Sequence, residues 1–135
     1  MPPSTSRDFQ KAAAQRLTTA ETLLREGLTL GAQYFGGYAV ECSLKALILH
    51  LTPDADKPDI LRKISAGGSM HRLDVLLGRL RNLGVATPLG ITKRIRRLGW
   101  TTDLRYEIGR RDTGETIAFL KSAKAVHDWV TGQMP

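Results

Sequence analysis

Glu41 and Lys45 stand four residues apart inside the most apolar stretch of the chain, residues 34–51 (YFGGYAVECSLKALILHL). A helix that is hydrophobic on nearly every side belongs in the middle of a bundle. Charges buried there are costly unless paired, so the two residues either neutralise each other across one turn or serve a site. Tyr34, Tyr38, Glu41 and Lys45 follow i, i+4, i+7, i+11 spacing and share one face. That face could hold an anion through the lysine or move a proton through the glutamate. His71 adds an imidazole whose ordinary pKa class suits acid–base work near neutrality. Its place at the start of a helical pattern equally suits capping or packing beside Tyr38.

A second chemistry is written in the charge distribution. Of the formal net charge of +7, residues 62–111 carry twelve Lys and Arg against three Asp and Glu, while the segments on either side are each slightly acidic. Much of the excess lies in TKRIRR, with Lys93, Arg94, Arg96 and Arg97. Local clustering of cations is what a phosphate-bearing partner requires, because counterion release drives such binding. A solvated helix face would look the same. Tyr106, Trp100 and Trp129 could stack on bases, or form core and interface.

Other chemistries are excluded by composition. The single cysteine, Cys42, forbids an internal disulfide and a four-cysteine zinc site; among apolar neighbours it reads as a small core hydrophobe. The GxGxxG and P-loop spacings are missing, so neither a cofactor nor a metal is expected. The opening residues MPPSTSRDF contain no apolar run after their charges, and Glu41, Lys45 and two glycines interrupt the only span-length segment. The expectation is a soluble, cytoplasmic protein that engages no membrane.

The elements that must position these residues are all helical. Alternating strand patterns are lacking, and 135 residues suffice for one domain, residues 1–135, with a core of its own. Helix one is expected over residues 6–26, opened by Thr5 with Asp8 and burying Phe9, Ala13, Leu17, Ala20 and Leu24. Gly27 and Gly31 bracket a turn into helix two, which ends before Pro53. The acidic PDADKPD loop, a short helical DILRKIS and the AGGS break follow. A third helix covers residues 71–82 and a short basic one residues 91–98. GWTTDLRYEIGRR reads as an irregular connection. Asp112 with Glu115 caps the last helix, which turns Phe119, Leu120, Ala123, Val126 and Val130 inward. The sum is an all-α antiparallel bundle of four to five helices. Gly36 and Gly37 inside helix two each cost about 1 kcal/mol relative to alanine, which points to close helix approach, as at a dimer seam.

This order of features resembles the HEPN family (higher eukaryote and prokaryote nucleotide-binding domains). AQYFGGYAVECSLKALIL matches the family's second helix, A-x-Y-x-x-G-Y-A-x-E-x-x-L-K-A-L. MHRLDVLLGRL supplies the histidine, acid and leucines that open the third helix, and WTTDLRYEIG the Arg-Tyr pair before the last. The resemblance implies a HEPN-like bundle of four or five helices paired as a homodimer. It also implies a polar cleft in which Arg105 joins Glu41 and Lys45. Family members are either metal-independent ribonucleases carrying R-x4–6-H or nucleotide- and RNA-binding modules, often beside a nucleotidyltransferase in toxin–antitoxin or phage-defence pairs.

The ribonuclease pattern is missing here: no arginine stands five to seven residues before His50, His71 or His127. The leading expectation is therefore a dimeric module that binds a nucleotide or RNA through Glu41, Lys45, Arg105, Lys93, Arg94 and Arg97. The alternatives are a divergent endoribonuclease using Arg105 with His71 or Tyr106, and a protein-interaction partner of a nucleotidyltransferase.

Overall fold

The computed structural model describes residues 1–66 and 68–135, and among them it contains six α-helices and no strand. Helix α1 (Ser6–Arg25) starts where Thr5 accepts a hydrogen bond from the Asp8 amide at 3.1 Å. Glu26 and Gly27, the latter at φ 76°, turn the chain directly into α2 (Thr29–Leu51). A connection this short folds α2 back along α1. Gly31 thus lies inside α2 rather than in the turn.

Helix α2 is the axis of the molecule. Sixteen of its 23 residues are buried, because α1, α6 (Thr113–Gln133) and α4 (Leu73–Asn82) pack around it. Its near-uniform hydrophobicity is the sequence counterpart of that enclosure. Val40, Leu44, Leu47 and Ile48 form the centre of the core with Phe9, Leu17, Leu76, Leu80, Phe119 and Val126. Asp112 caps α6 by accepting from the Glu115 amide at 2.8 Å.

With the two short segments expected to be helical counted in full, the total is six rather than four to five. DILRKIS lies within α3 (Lys57–Ser65), where proline near the start and Asp59 in the first turn suit a helix N-terminus. The basic segment forms α5 (Leu89–Leu98), which begins after Pro88 and ends at Gly99 with φ 56°. A left-handed residue there is a common helix stop. His71 belongs to a 3-10 turn (Gly68–His71) just before α4, and Thr102–Tyr106 form another inside the expected irregular connection. Of the AGGS break, Gly67 lies outside the described residues.

The glycine pair serves contacts within the chain, not a dimer seam. A Cβ on Gly37 would sit 2.1 Å from the Trp100 ring, and one on Gly36 3.3 Å from Phe119. Trp100 lies across α2 there and donates its indole N–H to the Tyr34 carbonyl at 3.1 Å. At 6% exposure Trp100 cannot stack on a base from solution. No helix among the described residues is long and apolar enough to cross a membrane.

Candidate functional site

Glu41, Lys45 and His71 do meet, but as a closed cluster. Lys45 Nζ donates to Glu41 Oε2 at 3.0 Å, and His71 Nδ1 lies 3.0 Å from Glu41 Oε1. Glu41 is 2% exposed and Lys45 4%. Both carboxylate oxygens are thus engaged, and the helical i, i+4 geometry supplies the first contact without tertiary help. A carboxylate accepts, so Nδ1 carries the donated proton, and Nε2 makes no hydrogen bond among the described residues. The imidazole is the only partly exposed member, with 36% of its side chain accessible. It ties the turn before α4 to the middle of α2, a role the sequence had divided between capping and packing.

Arg105 is not part of this cluster, and the expected three-way notch does not form. Its guanidinium lies over the Tyr106 ring, 4.9 Å from the centroid, at the surface. The Tyr106 phenol, and after it that of Tyr34, favours its charged form and raises its pKa. Arg105 therefore meets the predicted stripe at its Tyr34 end. Glu41 is seven residues further, about 10 Å along the axis at 1.5 Å per residue. No ion pair joins Arg105 to Glu41 among the described residues. Tyr34, Tyr38 and Trp100 fill the interval with an aromatic cluster whose centroids are 5.6–6.2 Å apart. Glu41 and Lys45, matched and sealed, are consequently removed from the ligand-contacting set. Tyr106, at 73% exposure, remains open to solvent.

The basic residues occupy a different place. Lys93, Arg94 and Arg97 on α5 line a groove of about 680 Å³ against α6, completed by Arg111 and Lys121. Arg94 Nη1 donates to Ser122 Oγ at 3.1 Å, which fixes one wall to the other. Arg111 is anchored twice: its amide donates to Thr29 Oγ1 at 2.9 Å, and its side chain pairs with Glu107. Gln33, which lines the groove, is held from behind by a short polar relay: it donates to Thr116 Oγ1 at 3.0 Å, and Thr116 donates to the Asp112 carbonyl at 2.8 Å. Glu115 is the one acid among the lining residues. Lys93, Arg94, Arg97 and Lys121 make no ion pair among the described residues, so they present uncompensated positive charge to solvent. The sequence located the α5 half of this surface. It missed Arg111, just before the last helix, and Lys121, two turns inside it, neither of which stands in the TKRIRR run.

The remaining candidates are structural. Burial pushes the Cys42 thiol up to about 11, with the Glu41 charge adding to it. Ser43 donates to the Ala39 carbonyl at 2.8 Å, so His127 Nδ1 must donate to Ser43 Oγ at 3.1 Å. Burial lowers the His127 pKa. Among the described residues no three His, Cys, Asp or Glu gather around a common metal position. Comparison with protein-family models, curated proteins and solved structures finds no match to this chain.

Proposed function

We propose that this chain is a HEPN-like module that binds the phosphates of RNA or a nucleotide through the α5–α6 groove, without the usual ribonuclease chemistry. In this reading it acts as a homodimer in a toxin–antitoxin or phage-defence setting, with a nucleotidyltransferase as its partner protein. One observation carries the binding assignment: four unpaired cations and an anchored arginine converge on a groove with a single acid. Carboxylates sufficient to neutralise them are not at hand, so a polyanion is the natural complement. The second-helix sequence and the all-helical architecture support the family assignment. The decisive measurement is binding of short single-stranded RNA across a salt series. Each lost phosphate contact lowers the salt slope by about 0.7 on single strands. Replacing Lys93, Arg94 and Arg97 together by alanine should therefore reduce it by about 2. A flat salt response, or a triple variant that binds as the native protein does, rejects the assignment.

A divergent endoribonuclease has one observation in its favour. Glu41 holds His71 with Nε2 free, which is how a carboxylate orients a catalytic imidazole. RNA cleavage that survives both His71→Ala and Arg105→Ala unchanged would dispose of that reading.

A further inference from the structure

Helix α5 has a second flank. Facing α4 it leaves a cavity of about 450 Å³, continued toward Trp100 by one of about 370 Å³ that shares Asp74, Leu77 and Arg96. The two helices are spaced apart along their length, and α5 is held from the other side by α6. Volumes of this size suit small organic groups. The floor is Leu77, Gly78 and Val85. A Cβ on Gly78 would meet nothing within 4 Å, and its φ is not positive, so neither packing nor backbone conformation requires glycine. In mid-helix it costs about 1 kcal/mol relative to alanine. What it leaves is space.

The rim is polar. Arg81 and Arg96 face the cavity from α4 and α5, and neither has an ion-pair partner among the described residues. Asp74 is steadied by Arg72 at 2.9 Å. Arg96 and Arg97 are consecutive, so they diverge by about 100° around the helix. One lines this cavity and the other the basic groove. Adjacent positions of α5 thus line the two sites, and a strand that crosses α5 from Lys93, Arg94 and Arg97 would reach the cavity.

We infer that the α4–α5 cavity receives an unpaired nucleobase from the strand held on α5, so that the protein selects single-stranded RNA over duplex. This rests on the reading of the α5–α6 groove as a phosphate surface. A base is flat, with a polar edge and an apolar face. Guanidinium planes stack on such faces and a carboxylate accepts from an exocyclic amine. Leu77 and Val85 cover the other side. A duplex keeps its bases stacked and cannot enter.

The test is fluorescence anisotropy with a short RNA, single-stranded and as its duplex, on the native protein, Gly78→Leu, Arg81→Ala and Arg94→Ala. Gly132→Leu, the same change on another helix glycine with open space around it, is the control. The native protein should favour the single strand by about tenfold, the scale of one stacked base. Gly78→Leu, which also improves helix propensity, should abolish the preference while leaving duplex affinity and the control unchanged; Arg81→Ala should reduce it. A preference that persists in Gly78→Leu, or equal native affinity for both forms, overturns the base pocket alone. Failure of the native protein to bind either form, or an Arg94→Ala variant that binds both as tightly as the native, overturns the phosphate surface beneath it.

Discussion

Replacing Glu41 by leucine would strand the Lys45 ammonium inside α2 and take the acceptor from His71. The two charged groups are 3.0 Å apart at 2% and 4% exposure, so solvent screening offers little discount. At an effective dielectric of about 20 their attraction is about 5 kcal/mol, most of it offset by the desolvation both groups undergo on folding. Removing one partner forfeits the attraction and keeps the other's desolvation. The expected cost is about 3–5 kcal/mol, a large share of the ~5–15 kcal/mol that stabilises a domain. Lys45→Met alone should cost a similar amount, since it leaves the carboxylate unpaired but for His71. The double variant Glu41→Leu/Lys45→Met removes both charges and should lie within about 1–2 kcal/mol of the native protein. Guanidinium unfolding followed by far-UV circular dichroism yields the cycle, with an expected coupling of about 6 kcal/mol, the two single costs less that of the double variant. Additive single costs, or single variants within about 1 kcal/mol of native, would refute the description of a sealed, mutually dependent pair.

Three further outcomes follow from the packing and the titrations. Gly37→Ala places a methyl 2.1 Å from the Trp100 ring, which the Tyr34 carbonyl holds; it should cost about 3 kcal/mol in thermal melts. Gly36→Ala, whose nearest atom lies at 3.3 Å, should be close to neutral, and the reverse order would contradict the indole's placement. With the Cys42 thiol at about 11, roughly one molecule in ten thousand is thiolate at neutral pH, so a disulfide reagent should label it only after unfolding. For His127 the folded pKa lies below the ordinary 6.5, so the unfolded chain binds the proton first as pH falls. Stability should decline below about pH 6.5 and level off once the folded ring also protonates. His127→Gln should flatten that limb, and an unaltered pH profile would show that the ring does not contribute.

Much of the fold was legible because α2 is apolar all round and the long helices carry caps at Thr5 and Asp112, both local signals. The two short helices were legible as well, but their starts were not: nine-residue α3 buries only Ile64 and ten-residue α5 only Ile95, so periodicity gives few marks for where each begins. The site divided along the same line. Helical spacing correctly paired Glu41 with Lys45, and charge counting isolated the α5 cations. The meeting of Glu41 with His71 joins residues 30 apart, and the recruitment of Arg111 and Lys121 to α5 depends on how α6 lies; neither has a local signature. Resemblance placed Arg105 beside Glu41, whereas its guanidinium lies over the Tyr106 ring at the surface.

The enclosure of α2 also has a bearing on synthesis. Its first cover, α1, precedes it and is available at once, but α6 begins at Thr113, some sixty residues after α2 ends. A nascent chain that has emerged only through Arg111 leaves the α2 surface around Gln33, Gly36 and Ser43 without its α6 cover, next to a strongly cationic segment. Such a half-made molecule is sticky and highly charged at once, a state in which chaperone capture or premature contact with polyanions competes with completion of the core. Dye binding by a chain stopped at Arg111, set against the whole chain, reads that exposure directly.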